Sequence, residues 1–310
     1  GAVARDERRR LWHSMIAWSC KWKGLSMAGF GHARKAMASD FDGTLFFGIG
    51  GRVHPLHRFL PRDLAAIEEF RVEGGLFGVC TGRPLGAVLD DAGNALSFDF
   101  AVTSSGACVS DAEGNTLFSR EIPNDDVRAV LDVAHGQTSR PSFLAVKSGY
   151  LVLGESSIPG LPKAFLKRLR VVSSVDEALS VEPGERGESV QVVSLGFASQ
   201  ERAASFVAGV GERLGGRVAA FQNLNSVDVV PAGCSKGTGL AIARERFGLG
   251  LVGGIGDSFN DLPLLGEADV AYTFNRAPEV VRAGADVLVD DVAEALADFE
   301  RRQMVTIGAN

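Results

Sequence analysis

Two aspartates separated by one residue, Asp40 and Asp42, offer the clearest chemistry in the sequence. They follow a short apolar run that predicts a strand, and side chains two residues apart in a strand point to the same side. Carboxylates this close repel each other unless a cation or a shared proton offsets their charge. Mg²⁺ suits this role because it prefers carboxylate oxygens and bridges to phosphate. One carboxylate could then act as a nucleophile and the other as an acid and base.

The residues after this pair suit a tight turn. Gly43 permits a backbone conformation that aims N–H groups inward, and the Thr44 hydroxyl can help to fix the turn. An Asp-x-Asp pair alone is a weak signal, since it also occurs by chance in surface loops. The longer run Asp-Phe-Asp-Gly-Thr-Leu after a strand is a much stronger one.

Three further segments place polar residues at predicted strand ends or helix starts. Thr81 follows a strand and could hold a phosphate oxygen, and Lys236 begins a helix and offers a positive charge for phosphate. Asp257 and Asp261 follow another strand. Each also has a simpler interpretation: Thr81 as a cap, Lys236 as a solvated charge, and the two aspartates as N-caps. Four such segments at strand ends nevertheless favour one shared site.

The elements that must position these residues alternate between short apolar strands and helices. Strands are predicted at 35–39, 75–80, 98–103 and 251–255, and helices at 62–73, 237–247 and 262–268. This alternation is typical of βαβ units and predicts an α/β fold with a doubly wound parallel sheet. Ligands of such sheets collect at the carboxyl ends of the strands.

The middle of the chain has a different pattern. Strands at 143–146, 150–153, 190–197, 218–221 and 227–230 are separated by helices at 161–169 and 200–214 and by an exposed loop at 182–188. Closely spaced strands with short turns favour antiparallel pairing. We therefore predict an α+β module at 122–228, inserted into a core formed by 35–121 and 229–310. Residues 1–34 form an N-terminal appendage, which we expect to be helical.

Together, four segments resemble the four motifs of the haloacid dehalogenase superfamily. They are Asp40-Phe41-Asp42-Gly43-Thr44-Leu45, Cys80-Thr81-Gly82-Arg83-Pro84, Ser235-Lys236-Gly237-Thr238 and Gly256-Asp257-Ser258-Phe259-Asn260-Asp261. The inserted module is similar to the α+β cap of the Cof-type (type IIB) phosphatases. The resemblance covers about residues 36–299 and implies a core that binds phosphate beneath a cap.

The resemblance also implies a role for each matching residue. Asp40 would be the nucleophile and Asp42 the general acid and base, with Lys236 assisting the chemistry. Mg²⁺ would be held by Asp40, the Asp42 main-chain carbonyl and Asp257, with Asp261 behind them. The residues expected to bind the phosphoryl group are Phe41, Thr81, Gly82, Lys236 and Asn260.

Two segments outside the motifs depart from the family pattern. Relatives of this type often carry Asn-Gly-Ala where this chain has Ser105-Gly106-Ala107. They also often read Met-Gly-Asn-Ala where this chain has Thr273-Phe274-Asn275-Arg276-Ala277. Both departures concern substrate contacts rather than the chemistry.

The expected activity is Mg²⁺-dependent hydrolysis of a small phosphorylated metabolite, by analogy a sugar phosphate, through an aspartyl-phosphate intermediate. A phosphomutase would use the same chemistry but pass the phosphoryl group to a second hydroxyl. A non-catalytic sensor of phosphorylated metabolites belongs to another class, and the intact nucleophile argues against it.

Composition limits the partners and the location. The chain has 310 residues and a net charge of −6, which argues against general nucleic-acid binding. No apolar run is long enough to span a bilayer, and membrane contact is not expected. The four cysteines are scattered, which favours a reducing cytoplasm. We expect a monomer or a homodimer.

Several other features have weaker interpretations. All three tryptophans lie in residues 1–22, beside basic residues. This segment could lie on a membrane surface or dock onto protein, and it partly resembles a signal peptide. It could also result from a wrongly assigned translation start. The run 248–253 matches Gly-x-Gly-x-x-Gly, but a helix precedes it and a strand follows, which excludes a dinucleotide site. His54 and His57 lack a third metal ligand, so we place them in a loop over the site.

Overall fold

The computed structural model describes residues 34–47, 58–139, 142–146, 149–153, 169–179 and 189–307. Four expectations from the sequence lie outside these ranges. They concern residues 1–33 of the appendage predicted at 1–34, the loop with His54 and His57, residues 161–168 of the helix predicted at 161–169, and the loop at 182–188. The last residues of that appendage and that helix, Arg34 and Leu169, are described and each begins a strand.

Strands and helices alternate along the described chain. The strands are β1 (Arg34–Ser39), β2 (Leu76–Cys80), β3 (Phe100–Thr103), β4 (Cys108–Asp111), β5 (Thr116–Ser119), β6 (Ser142–Val146), β7 (Gly149–Leu153), β8 (Leu169–Val172), β9 (Val192–Gly196), β10 (Val218–Asn223), β11 (Ser226–Pro231), β12 (Leu249–Ile255), β13 (Val270–Phe274) and β14 (Val287–Val289). The helices are α1 (Pro61–Val72), α2 (Leu85–Ala92), α3 (Asn124–Ala134), α4 (Val175–Leu179), α5 (Gln200–Leu214), α6 (Lys236–Phe247), α7 (Leu262–Glu267), α8 (Glu279–Ala283) and α9 (Val292–Ile307).

The first sheet has the strand order β14-β13-β12-β1-β2-β3-β4-β5. Strands β14 to β3 run parallel, as the sequence predicts, and β1 lies at the centre between β12 and β2. Strands β4 and β5 add an antiparallel edge that the sequence analysis did not predict. They are only four residues long and are separated by a turn at Gly114, whose φ is +83°. Runs this short show little periodicity.

Helices cover both faces of this sheet. On one face, Ile67 and Phe70 of α1 and Phe299 of α9 pack with the strands in one buried cluster. On the other face, Leu240 and Ala243 of α6 pack against a second cluster. Apolar burial on both sides explains why the buried parts of the central strands are mostly apolar, and it confirms the doubly wound core.

The second sheet forms the inserted cap and has the order β10-β11-β9-β6-β7-β8. Its neighbours are antiparallel except for β7 and β8, and its apolar side chains pack with α3 and α5. Strand β11 continues to Pro231, so the predicted boundary between residues 228 and 229 falls inside a strand. The run 227–230 is mostly valine and continues into Pro231 without a turn residue. The sequence therefore gives no indication of where the cap ends and the core resumes.

The two chain crossings between core and cap lie side by side. The chain leaves the core after β5 and returns after β11, and the Arg120 guanidinium donates to the Ala232 carbonyl at 2.9 Å. The Arg120 N–H also donates to the Ala107 carbonyl at 2.8 Å. The crossings are therefore joined to each other and to the core sheet.

A search of the described residues found no helix with both the length and the apolar character needed to cross a bilayer.

Candidate active site

The predicted site residues meet at the carboxyl ends of neighbouring parallel strands. Asp40 follows β1 and its N–H donates to the Ile255 carbonyl at the end of β12, at 2.8 Å. Thr81 follows β2 and its N–H donates to the Val102 carbonyl of β3, also at 2.8 Å. These bonds extend the sheet by one residue and hold both side chains at its edge.

Lys236 connects the third segment to the first and fourth. Its Nζ donates to Asp40 Oδ1 and to Asp261 Oδ1, each at 2.6 Å, and the residue is only 2% exposed. Burial alone would lower the pKa of Lys236, but the charges of Asp261 and Asp40 outweigh it and raise the pKa above its ordinary value. Lys236 is therefore a permanently charged group at the centre of the site.

The position of Lys236 is fixed by the start of α6. Ser235 and Thr238 form a capping box: the Thr238 N–H donates to Ser235 Oγ at 3.1 Å, and the Ser235 N–H donates to Thr238 Oγ1 at 2.8 Å. Lys236 occupies the first helical turn, so its side chain is directed back towards the strand ends.

Asp261 organises the fourth segment. Its Oδ2 accepts hydrogen bonds from the N–H groups of Asp257 at 3.0 Å and Ser258 at 2.9 Å, while its Oδ1 accepts from Lys236. Both oxygens therefore already have protein donors. Asp261 positions its neighbours, in keeping with its expected place behind the ligands.

Three carboxylates converge beside Lys236. Asp40, Asp257 and Asp261 each offer an oxygen, and these oxygens lie within 4.8 Å of one another. Burial and the charge of Asp261 raise the pKa of Asp40 well above its usual range, and the same two causes raise that of Asp257 to about 6. Asp40 Oδ2 is buried and has no hydrogen-bond partner among the residues described. An unpaired oxygen within an acidic cluster fits a divalent cation such as Mg²⁺.

The turn after Asp40 is shaped by glycine. Gly43 has a φ of +85°, and a Cβ at this position would lie 2.5 Å from Asp257 Oδ2, so a side chain would enter the carboxylate cluster. Its N–H donates to the Phe46 carbonyl at 3.0 Å and closes the turn. The expectation that the Thr44 hydroxyl fixes the turn is wrong, because the buried Thr44 Oγ1 has no hydrogen-bond partner in the described chain.

Arg276 holds the outer side of this turn and had no assigned role. Its guanidinium donates to the Gly43 carbonyl at 2.7 Å and stacks on Phe274, with Cζ 3.7 Å from the ring centroid. Arg276 lies in one of the two segments that depart from the family pattern. That departure was the only sequence signal for its position.

Asp42 lies at the open side of the site. Its carboxylate is 51% exposed and accepts two parallel hydrogen bonds from Arg83, at 2.7 and 2.6 Å. Arg83 also donates to Asp91 at 2.5 Å and lies over the Phe41 ring. Asp42 is therefore held by the Arg83 guanidinium through a bidentate ion pair, and Asp91 extends this pair into a network.

The expected phosphate-binding residues surround the same space, apart from the Phe41 ring. Thr81 Oγ1 accepts from the Arg83 N–H at 3.2 Å, and Asn260 Oδ1 accepts from Ser258 Oγ at 2.8 Å. The Phe41 ring is buried and stacks on Phe46, with centroids 5.1 Å apart. Only the Phe41 main chain can face a ligand.

A cavity of about 270 Å³ lies between core and cap at this site. The core contributes Asp40, Asp42, Thr81, Gly82, Arg83, Lys236, Ser258 and Asn260 to its lining. The cap contributes Tyr150, Ser194, Asn223 and Asp228, none of which the sequence analysis assigned to the site. The one available signal was Asp228, a carboxylate within an otherwise apolar strand.

Ser105 links these cap residues to the core. Ser104, Ser105 and Gly106 all have a positive φ, a backbone conformation that is uncommon for serine. The Ser105 hydroxyl lies 3.4 Å from Asp228 Oδ2 and donates to it. Ser105 belongs to the other segment that departs from the family pattern, so that departure contacts the cap.

The chain belongs to the haloacid dehalogenase-like hydrolases, whose family pattern it matches over residues 37–299. Among curated proteins it is similar to the HMP-PP phosphatase of Shigella boydii, with 26% identity over 250 residues, covering 79% of this chain and 90% of that protein. The HMP-PP phosphatase of Klebsiella pneumoniae is 25% identical over 254 residues, covering 80% and 87%.

Solved structures share the fold. A sugar phosphatase of subclass IIB superposes with a TM-score of 0.67 at 21% identity, covering 86% of this chain and 99% of that one. A phosphatase of the same superfamily from Bacteroides thetaiotaomicron gives a TM-score of 0.67 at 23% identity, covering 90% and 99%. The core with its inserted cap therefore has the subclass IIB architecture.

Proposed function

We propose that this chain is a Mg²⁺-dependent phosphatase that hydrolyses a small phosphorylated metabolite through an aspartyl-phosphate intermediate. One observation carries the proposal: buried Asp40 is bonded to Lys236 through one oxygen, while its other oxygen is unpartnered beside Asp257. What sets Asp40 apart is that its unpartnered oxygen lies within a cluster of carboxylates and beside a lysine, which suits a nucleophile next to a bound cation. The similarity to two HMP-PP phosphatases adds support for a phosphatase.

Asp40 is the nucleophile in this proposal. As its oxygen forms a bond to phosphorus, the bond between phosphorus and the leaving oxygen breaks. Asp42, protonated and released from its ion pair with Arg83, donates its proton to that oxygen. Asp42 then takes a proton from water, whose oxygen attacks phosphorus and releases phosphate from Asp40. Two displacements replace one very slow hydrolysis.

The other residues bind and orient. Lys236 directs its charge at the phosphoryl oxygens while it holds Asp40 in place, and Thr81, Gly82, Asn260 and the Phe41 main chain surround the phosphoryl group. Asp40, Asp257 and the Asp42 main-chain carbonyl would hold Mg²⁺, with Asp261 behind them. When bound, Mg²⁺ neutralises charge that develops on the phosphoryl oxygens.

The proposal extends to a cytoplasmic enzyme that acts as a monomer or a homodimer. Cys80, Cys108 and Cys234 are free and buried, which suits a compartment where thiols stay reduced.

The test measures phosphate release from phosphorylated metabolites and from p-nitrophenyl phosphate, with Mg²⁺ and with EDTA. We expect Mg²⁺-dependent release that Asp40→Asn abolishes. Asp42→Asn should accumulate a phosphorylated protein with p-nitrophenyl phosphate, detected by acid quenching and mass spectrometry, because attack needs no acid with this leaving group but water activation is lost.

Three other outcomes would contradict the proposal. Phosphoryl transfer to a second sugar hydroxyl with little free phosphate would indicate a mutase. Binding of phosphorylated compounds without turnover would indicate a sensor. Substantial turnover by Asp40→Asn would exclude the assigned nucleophile.

A further inference from the structure

Asp228 is a cap carboxylate that faces the cavity and feels the charge of Lys236 only from a distance, without a direct ion pair among the described residues. It lies in β11, is partly buried, and lines the cavity together with the catalytic aspartates. Its Oδ1 accepts a hydrogen bond from Ser194 Oγ at 2.6 Å, and its Oδ2 accepts a weaker one from Ser105 Oγ at 3.4 Å. Within the described ranges, no lysine, arginine or histidine forms an ion pair with it. A carboxylate has about four acceptor positions, so it can accept further hydrogen bonds.

This carboxylate lies against the segment proposed to bind phosphate. A Cβ built on Gly82 would lie 2.9 Å from Asp228 Oδ2 and 3.2 Å from Ser105 Oγ. Gly82 follows Thr81 at the end of β2, where the phosphoryl group is expected. Atoms of a substrate that directly follow the phosphate ester oxygen therefore come within reach of Asp228.

The charge of the cavity lining separates the two sides of the site. The core side holds Lys236 and Arg83, and Arg83 is already bonded to Asp42 and Asp91. Of the described cap residues that line the cavity, Tyr150, Ser194 and Asn223 are neutral and Asp228 is acidic. The phosphate thus meets positive charge, while the leaving group meets neutral donors and acceptors and one negative charge.

We propose that Asp228 determines specificity by accepting a hydrogen bond from a hydroxyl or amino group near the phosphate ester and by disfavouring a carboxylate there. This inference rests on the proposed phosphatase function and narrows its substrate class to phosphate esters that carry a second hydroxyl or an amino group close to the ester, and no carboxylate there. Burial raises the pKa of Asp228, because its negative charge is partly dehydrated. A donor on the substrate would replace part of the lost hydration.

The experiment uses three substrates of matched size: 2-hydroxyethyl phosphate, 2-aminoethyl phosphate and phosphoglycolate, which end in a hydroxyl, an ammonium and a carboxylate. The reference is p-nitrophenyl phosphate, whose leaving group carries no donor. Each matched compound is assayed as a substrate and as a competitive inhibitor of p-nitrophenyl phosphate turnover, so that binding is measured even where turnover is slow.

For the unmodified chain we expect kcat/KM, or affinity as an inhibitor, to be at least about tenfold lower for phosphoglycolate than for the other two. Asp228→Asn should reduce this preference by about tenfold and change p-nitrophenyl phosphate turnover by less than about threefold. Ser194→Ala keeps the charge and should keep the preference. Asp125→Asn removes an exposed cap charge and serves as the matched control.

The outcomes test the role of Asp228 separately from the proposed phosphatase function. Absence of Mg²⁺-dependent release from p-nitrophenyl phosphate would overturn the proposed function and this inference with it. Normal release, with equal affinity for the three compounds in the unmodified chain, would overturn the inference alone, and this result does not depend on whether any variant folds. An equal fall on all substrates in Asp228→Asn would indicate a structural residue.

Discussion

Lys236 and Asp40 are 196 residues apart in the chain, yet Lys236 Nζ donates to Asp40 Oδ1 at 2.6 Å, and both side chains are buried. The same Nζ donates to Asp261, so one ammonium group balances two carboxylates. A single charge cannot neutralise the cluster once Asp257 is counted. The remaining negative charge is what makes the site suited to a divalent cation.

Replacing Lys236 with methionine tests this balance. Lys236→Met should lower kcat/KM by about 10²–10³-fold, since a group that stabilises developing charge is lost. Unfolding in urea should show a loss of about 3–5 kcal/mol, because two carboxylates stay buried without their partner. Lys35→Met is the control, since Lys35 is partly exposed and pairs with one carboxylate, Glu300, so its loss of stability should be clearly smaller. Equal losses in the two variants would contradict the central role of Lys236.

Arg276 should affect turnover through the turn that carries Asp40 and Asp42. Arg276→Met removes the bond to the Gly43 carbonyl and should lower kcat by about tenfold, since catalytic groups lose rate when displaced slightly. Arg276→Lys can still donate one hydrogen bond and should retain an intermediate kcat. The exposed Arg282→Met is the control, and thermal unfolding should shift little in all three. An unchanged kcat in Arg276→Met would show that Arg276 does not position the turn for catalysis.

Gly106 and Gly74 provide a matched pair of substitutions. Both have a strongly positive φ, +91° and +87°, so alanine carries similar backbone strain of about 1–2 kcal/mol at either position. A Cβ on Gly106 would lie 1.9 Å from the Ser235 carbonyl oxygen, whereas nothing lies within 4 Å of a Cβ on Gly74. Gly106→Ala should therefore lower the Tm much more than Gly74→Ala, and it should also lower kcat by displacing the start of α6. Equal shifts in Tm would mean that the close approach costs nothing.

Asp63 should make stability depend on pH. Its side chain is buried in α1, accepts a hydrogen bond from the Ala293 N–H at 2.9 Å through Oδ1, and leaves Oδ2 without a partner in the described chain. Burial raises the pKa of Asp63 from 3.8 to about 6. Between these values the folded state binds more protons than the unfolded state, so the contribution of Asp63 falls as pH rises through this window, by at most ~3 kcal/mol.

Asp63→Asn should remove this dependence. As the pH rises from about 4 to about 6, the unfolding free energy of the variant should therefore increase relative to that of the unmodified chain. Asp298→Asn is a control of opposite sign. Burial would raise the pKa of Asp298, but bonds from Arg302 and Tyr272 outweigh it and lower the pKa. Its ionised form stabilises the fold. As the pH rises through the unfolded-state pKa near 4, Asp298→Asn should therefore become less stable relative to the unmodified chain. Parallel curves for Asp63→Asn and the unmodified chain would contradict the first assignment.

The sequence was informative where local pattern and chemistry coincide. Asp40 and Thr81 could be placed because each follows a buried strand, and parallel strands bring their carboxyl ends together. Asp228 could not be placed in the same way. Its strand was predicted, but the cavity it faces depends on the pairing of β11 with β9 and on how the cap lies over the core. Such contacts join residues far apart in the chain, and they leave no periodic signal.

The bond between Arg120 and Ala232 brings together the two points where the chain enters and leaves the cap. A segment whose ends meet in this way can be exchanged for a longer or shorter one without moving the strands on either side, since closing a loop of any length requires the same short distance. The core can therefore keep its four motifs fixed while the inserted segment varies. In such an arrangement the segment that contacts the substrate can change independently of the residues proposed to carry out the reaction.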